Sequence, residues 1–406
     1  MATVSSAESR STRHESGSTR QGRALRNDAR ILDAAEEIAV VEGWLGLAPT
    51  RVAAASGLSR STVQERYRTR AEVGRALWVQ RCGPALQAAL LDLLAAGGLD
   101  PGGGGGLSLR LAELAAPPRR LLAAAELLVV AHYVPEITAA VAHSVGPVVH
   151  TRCAMGSPAD RARRAYLLMT GLGLVLGARR TDAGRFDWTH VGSALAEALT
   201  HPTQPVDLPT STALHLAGDL DLAPDDPALN ALLNATLREV GTRGFEGASV
   251  DRIARAAHHT KGLVFSRFPS KLELFLEATR RQQSLAFAAN NAFLSEIARD
   301  HGRGIAEAVA LREMQDHHLG YGRAIALEQL RLSWHNREVK AAHETDVDAA
   351  VDAIAGATLD LYWHDIVIIH FAYAMGLGLA ALPLLYPPAC TLAYDVMTVP
   401  LVELGL

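Results

Sequence analysis

The chain is short of cysteine, of aromatics and of alternating β-branched runs, and each shortage removes a class of protein. Three cysteines, Cys82, Cys153 and Cys390, stand far apart in 406 residues. That spacing forms neither a zinc motif nor a disulfide framework, and it fits a reducing cytoplasm. Aromatics make up 5% of the chain against 49% hydrophobic residues, dominated by Ala and Leu. Both favour helix and period-two runs are scarce, so an all-α fold is expected. No Walker loop, nucleophile elbow or paired-carboxylate motif is present, so no enzyme and no cofactor are expected. His317 and His318 are adjacent and would diverge on a helix, and no His/Cys cluster offers a metal site. The Arg/Ser-rich N-terminus lacks the apolar stretch of a secretory signal. The longest apolar run, Ile366 to Tyr386, spans 21 residues and is broken only by His370. Its length permits a membrane span. Gly376, Gly378 and Pro383 also suit a buried helix, and no second span or basic flank accompanies it, so no membrane role is expected.

Charge is nearly balanced overall, at −4, which argues against a general nucleic-acid coat. Its distribution is uneven. Residues 1–30 hold six Arg and three acids, residues 51–70 five Arg and Glu65, and residues 250–271 five Lys or Arg and Asp251. These stretches are net +3, +4 and +4, so the remainder carries −15. A confined basic patch is the footprint that a polyanion requires.

The chain also repeats itself. "GWLGLAPTRVAAASGLSRSTVQERYRTR" (43–70) aligns without a gap on "GFEGASVDRIARAAHHTKGLVFSRFPSK" (244–271), at an offset of 201. Further on, "AAAELLVVAHYVPEI" (123–137) matches "IALEQLRLSWHNREV" (325–339), placing Glu126 on Glu328 and Glu136 on Glu338. "GLGL" recurs at 171 and 376. Anchors in one order at offsets of 201 to 205 indicate duplication of a unit of about 180 residues. Four prolines between 202 and 224 mark a linker over 201–226. Residues 1–26 are expected to form a disordered basic arm. "DPGGGGGLS" at 100–108 is expected to be a flexible connector, since no strand precedes it and no Lys-Ser/Thr follows.

Each copy opens with the pattern of a helix-turn-helix. In the first, Asp28 can cap a helix from Ala29 to Glu42, which Gly43 closes. Pro49 starts the second helix and Gly57 supplies the left-handed turn. Ser59 caps the third helix, where Val63 and Tyr67 point to the core. Arg60, Ser61, Thr62 and Gln64 are left outward, the geometry that enters a major groove. Gln64 suits adenine and Arg60 suits guanine or a phosphate. Arg66, Arg68 and Arg70 are expected to grip phosphates, and Arg51 completes the set. In the second copy Asn230 is the expected first cap, Ser249 the second and Thr260 the third. Val264 and Phe268 form the core pair. Lys261, Gly262, Leu263, Phe265 and Ser266 face out, with Arg267 and Lys271 for phosphates and Ser249 beside them. His258 stands where the first copy has Gly57, at a cost of roughly 1–2 kcal/mol for a left-handed residue, though His is among the better tolerated types.

At these residues the sequence resembles the TetR family of bacterial transcriptional regulators. The second copy is the closer, ending in Phe268-Pro269-Ser270-Lys271. The first has Gln64 where the family usually has Tyr, and Tyr67-Arg68-Thr69-Arg70 in place of Phe-Pro-Ser-Lys. The resemblance implies an all-helical fold of two units. Each would have a three-helix DNA-binding domain (27–75 and 227–275) and a helical ligand-binding and dimerisation domain (76–200 and 276–406). It also implies a double-stranded DNA operator and a small-molecule effector that releases it. Two units in one chain suggest a covalent pseudo-dimer, with a homodimer of chains also open.

The polar and aromatic residues inside the apolar stretches are the ligand-pocket candidates: His132, Tyr133, Trp334, His335, Tyr362, Trp363, His364 and His370. Pockets are mostly apolar with few placed polar groups, yet a buried histidine with its bonds satisfied is the commoner occurrence. Gly171, Gly173, Gly177, Gly376 and Gly378 suit close helix approach in a bundle between the copies. The expected function is a tandem ligand-responsive DNA-binding regulator, a repressor. The alternative is a ligand sensor or partner-binding protein in which one helix-turn-helix no longer binds DNA, as His258 and His259 suggest.

Overall fold

The computed structural model describes residues 5–99, 105–179, 183–202, 206, 208–209, 220–314, 320–357 and 366–406. Among the described residues there are helices and no strands. The first half runs α1 (Ser5–Val41), α2 (Gly43–Gly46), α3 (Pro49–Ser56), α4 (Arg60–Gln64), α5 (Arg70–Leu77), α6 (Gly83–Ala96), α7 (Leu107–Ala115), α8 (Arg119–Val130), α9 (Pro135–Cys153), α10 (Pro158–Gly177) and α11 (Thr189–Thr200). The second half runs α12 (Pro227–Gly247), α13 (Val250–Ala256), α14 (Lys261–Arg267), α15 (Lys271–His301), α16 (Arg303–Met314), α17 (Gly320–Ser333), α18 (Arg337–Ala357), α19 (Ile366–Leu385) and α20 (Asp395–Glu403).

Local chemistry starts and stops these helices. Ser59, Thr69, Ser157, Asp226, Ser249, Thr260 and Ser270 each accept an amide proton of the first turn they precede, so the open donors of a helix start are met. Pro84 has no N–H to return to the preceding turn. The chain absorbs this in one π turn over Trp78–Cys82, where Gly83 N–H bonds Trp78 O. At the corresponding place in the second half, α15 is unbroken.

One apolar core joins the first half to the end of the second. It runs from Ile31 and Leu32 through Trp78, Leu127 and Leu168 to Phe371, Leu382 and Tyr394. The headpiece over 220–278 has a core of its own, around Leu233, Ile253, Val264 and Phe275. Packing of α10 on α19 is the close approach within the larger core. A Cβ on Gly173 would overlap the Ala374 carbonyl, and one on Gly378 would overlap that of Met169. Gly376 has open space instead, Gly177 meets ordinary contacts, and Gly171 faces Leu93 rather than the other half. α19 is long and apolar enough to cross a membrane by length and composition. Leu379, Ala381 and Leu382 on it are buried in the core.

Several boundaries differ from expectation. The first helix begins at Ser5 rather than Ala29, so residues 5–26 continue α1 where a disordered arm was expected. Pro117 and Pro118 separate α7 from α8, and residues 334–336 separate α17 from α18. Asp226, not Asn230, caps α12. Asn230 instead accepts the Leu222 amide at 2.8 Å, and Asn234 is bonded to the Leu220 amide at 2.9 Å. The end of the expected linker, Leu220 to Ala223, is thereby stitched onto α12, with Leu220, Leu222 and Ala223 buried. Tyr362, Trp363, His364, His317 and His318 lie outside the described residues.

Candidate nucleic-acid interface

The first headpiece is α1 to α4. Gly57 takes the left-handed conformation at φ 64°, and Leu58 N–H bonds Ala53 O at 3.1 Å to close the turn. The Ser59 hydroxyl accepts the Thr62 amide at 3.1 Å. Val63 is buried and Tyr67 half-buried, as the four-residue spacing predicts. Arg60, Ser61 and Gln64 are exposed and Thr62 is half-buried, within reach of the Ser59 hydroxyl at 2.8 Å. Arg68 is also exposed. The other arginines are engaged within the headpiece. Arg66 is paired with Asp28 on α1, Arg51 makes a fork to Glu42 through its Nε at 2.9 and 3.0 Å, and Arg70 lies over Trp44 with its guanidinium 5.7 Å from the ring centre. Arg30, unremarked in the sequence reading, donates to Ser56 O at 2.6 Å and braces the turn.

The second headpiece, α12 to α14, repeats this geometry. His258 sits at φ 58°, the lone positive-φ non-glycine residue among those described, and His259 N–H bonds Ala254 O at 2.8 Å. The turn is the same as that at Gly57, built with a less suitable residue. Ser249 and Thr260 serve as caps. Lys261, Gly262, Phe265 and Ser266 are exposed, Phe265 at 49%, and Leu263 is half-buried. Lys261 pairs with exposed Asp251 at 3.2 Å, a contact of little strength in water. Arg267 is paired with Asp226, at the alignment position of Arg66. Lys271 is engaged within the headpiece. Its ammonium donates to Phe245 O at 2.6 Å and Ala248 O at 2.8 Å and lies 4.0 Å from the Phe245 ring centre. Burial holds it below the usual lysine range.

A second pair of glycines, Gly43 at φ 72° and Gly244 at φ 69°, ends the first helix of each headpiece. The amide after each is met by a buried carboxylate. Trp44 N–H bonds Glu126 at 2.6 Å, and Phe245 N–H bonds Glu328 at 2.7 Å. The two glutamates occupy matching positions in the two repeats. The available signal was a single acid inside each apolar run. His335 Nε2 lies 3.1 Å from Glu126, and Tyr133 OH donates to Glu328 at 3.2 Å. Tyr133 also lies against Gly244, and His335 against Gly43. Arg331, missed in the sequence, bonds Glu126, Glu328 and Glu246. Burial raises the Glu126 carboxyl, but Arg331, His335 and the Trp44 amide outweigh it and hold the group below the usual range. Burial, reinforced by Glu328, pushes the Tyr133 phenol up.

Of the ligand-pocket candidates, the structure brings Tyr133, Trp334 and His335 together around this network, with Arg179 stacked 4.9 Å from the Trp334 ring. His132 is adjacent in sequence, and burial pushes its imidazole down to about 4. His370 stands apart, edge-on to Phe186 at 4.8 Å. Two clefts lie elsewhere, one beside each of α4 and α14. One of about 560 Å³ is lined by Tyr67, Arg75 and Gln80, and one of about 710 Å³ by Phe268, Leu276 and Arg281. A search of curated proteins finds no match to the chain. Residues 232–278, which run from α12 into α15, match the family model of bacterial regulatory proteins, tetR family.

Proposed function

We propose that the chain is a tandem regulator whose two headpieces read the two halves of one operator. The supporting observation is reciprocity. Tyr133 meets Gly244 and Glu328 while His335 meets Gly43 and Glu126, and Gly173 meets Ala374 while Gly378 meets Met169. In each set, i touches j and the counterpart of j touches the counterpart of i, the pattern of a two-fold interface. The groups proposed to read bases are Arg60, Ser61, Thr62 and Gln64 on one side and Lys261, Gly262, Leu263, Phe265 and Ser266 on the other. Because these differ, the operator is asymmetric. Arg51, Arg66, Arg68, Arg70, Ser249, Arg267 and Lys271 support the headpieces or flank the phosphates. Release by a small hydrophobic effector, hence repression, is the second part of the reading. Polar groups buried without partners, Trp334 Nε1, His335 Nδ1 and His132 Nε2, support it, since buried polar atoms are normally paired. An effector bound among them would favour a headpiece spacing that misfits DNA.

Selection of genomic fragments by the purified protein tests this. The expected footprint holds two dissimilar half-sites about 34–36 Å apart. Arg60→Ala and Lys261→Ala are each expected to weaken binding about tenfold and to lower its salt dependence. Loss confined to Arg60→Ala would favour the alternative, one headpiece without DNA binding. Indifference to both would refute the groove assignment.

A further inference from the structure

We propose that Arg331 is a positioning residue that ties the two headpieces into one register. The inference rests on the reading of two DNA-binding headpieces, but its geometry stands independently. A continuous polar path joins them. Trp44 N–H at the start of α2 bonds Glu126 at 2.6 Å. Glu126 bonds Arg331 Nη1 at 3.1 Å. Arg331 Nη2 bonds both oxygens of Glu246, at 2.8 and 2.7 Å, in the last turn of α12. Its Nε bonds Glu328 at 2.8 Å, and Glu328 holds Phe245 N–H at 2.7 Å.

Arg331, Glu126 and Glu328 are at most 2% exposed. One guanidinium therefore serves three carboxylates, two of them anchors of opposite headpieces. The equivalent position in the first half is Val129, which is buried and apolar. The tie is thus unique to one side, and the two headpieces share it rather than each having a copy. A buried ion network of this kind is weak evidence for stability, and its best-attested use is to fix a register. Movement of either headpiece away from the other strands a charge in the interior, so the pair moves as a body or not at all. The polar path ends at the amides of Trp44 and Phe245, directly after Gly43 and Gly244, where the first helix of each headpiece turns.

The test uses the full chain with spin labels attached orthogonally to the native cysteines at positions 64 and 265, and distances measured by double electron–electron resonance without DNA. The wild type is expected to give one narrow distance distribution. Glu246→Gln, which cuts the tie at its half-exposed end, and the charge-balanced triple Arg331→Met/Glu126→Gln/Glu328→Gln, which keeps acceptors for both anchor amides, are each expected to widen it at least about twofold. Unchanged widths in variants with wild-type circular dichroism overturn the proposal. Should the triple variant not fold, Glu246→Gln decides alone. A second arm inserts two base pairs between the half-sites of a selected operator. The wild type is expected to lose roughly 100-fold in affinity and Glu246→Gln roughly tenfold or less, while equal losses overturn the tie. A chain that binds no DNA would refute the functional reading, and the distance measurement would still decide the register.

Discussion

His258 shows how a single residue can satisfy a turn designed around glycine. Its φ of 58° lies in the left-handed region, where a Cβ costs roughly 1–2 kcal/mol, less what glycine would lose in unfolded-state freedom, about 0.5–1 kcal/mol. His258→Gly is therefore expected to leave thermal stability unchanged or raise it by up to about 1.5 kcal/mol, while a β-branched His258→Val is expected to lower it. Equal melting temperatures for the two variants would show that the turn is not left-handed in solution. His132 makes a pH prediction. Its imidazole titrates near 4 in the fold because burial disfavours the cation, with Arg323 adding to the effect, against about 6.5 when unfolded. Between those values the unfolded chain binds the extra proton, so this contribution to stability is full above pH 6.5 and is lost as pH falls towards 4. The full span corresponds to roughly 3 kcal/mol. Denaturant melts at pH 7 and pH 4.5 are expected to differ more for the wild type than for His132→Leu, and identical differences would contradict the assignment.

At the scale of elements, the repeated Gly-Leu-Gly-Leu supplies a matched comparison. Gly173 and Gly378 face backbone carbonyls across the α10–α19 contact, while Gly376, in the same motif, faces open space. Gly378→Ala and Gly173→Ala are expected to force the helices apart and cost at least about 2 kcal/mol. Gly376→Ala is expected to gain up to about 1 kcal/mol from helix propensity. Urea denaturation of the three variants checks both signs. The helix boundaries explain what was legible in the sequence. Ser59, Ser249 and Thr260 cap their helices as expected, because capping is local chemistry within four residues. The same is true of Gly57 and of the core pair Val63 and Tyr67. Asp226 displaced Asn230 as a cap because Asn230 was drawn into holding the strand of chain from Leu222, a contact that no local pattern announces. Lys271 turned inward for a similar reason, since the two carbonyls that take its ammonium come from 23 and 26 residues earlier. Arg331 was invisible because, beside Glu328 three residues before it, its partners Glu246 and Glu126 lie 85 and 205 residues away. The π turn before Pro84 is a distortion whose cause is local but whose form depends on the packing of Trp78, held by Ser144 at 2.8 Å.

For the molecule as a whole, the account comes down to how many chains occupy one operator. On the proposed tandem reading, a covalent pair of headpieces presented at a fixed spacing needs no second chain. The apolar face that α10 and α19 bury against each other is consumed within the 43.2 kDa polypeptide. In that reading, fusing the halves would also remove the association cost that separate subunits would bear, estimated at 4–15 kcal/mol or more, and would leave the two proposed recognition surfaces free to differ, as Gln64 and Phe265 do. Binding is therefore expected to show no dependence on chain dimerisation, with a Hill coefficient near one on a single operator. The most direct measurement is the mass, by light scattering, of the complex between the purified chain and one selected operator duplex carrying both half-sites. The account predicts one chain per duplex. Two chains per duplex, each needing only one functional headpiece, would contradict it.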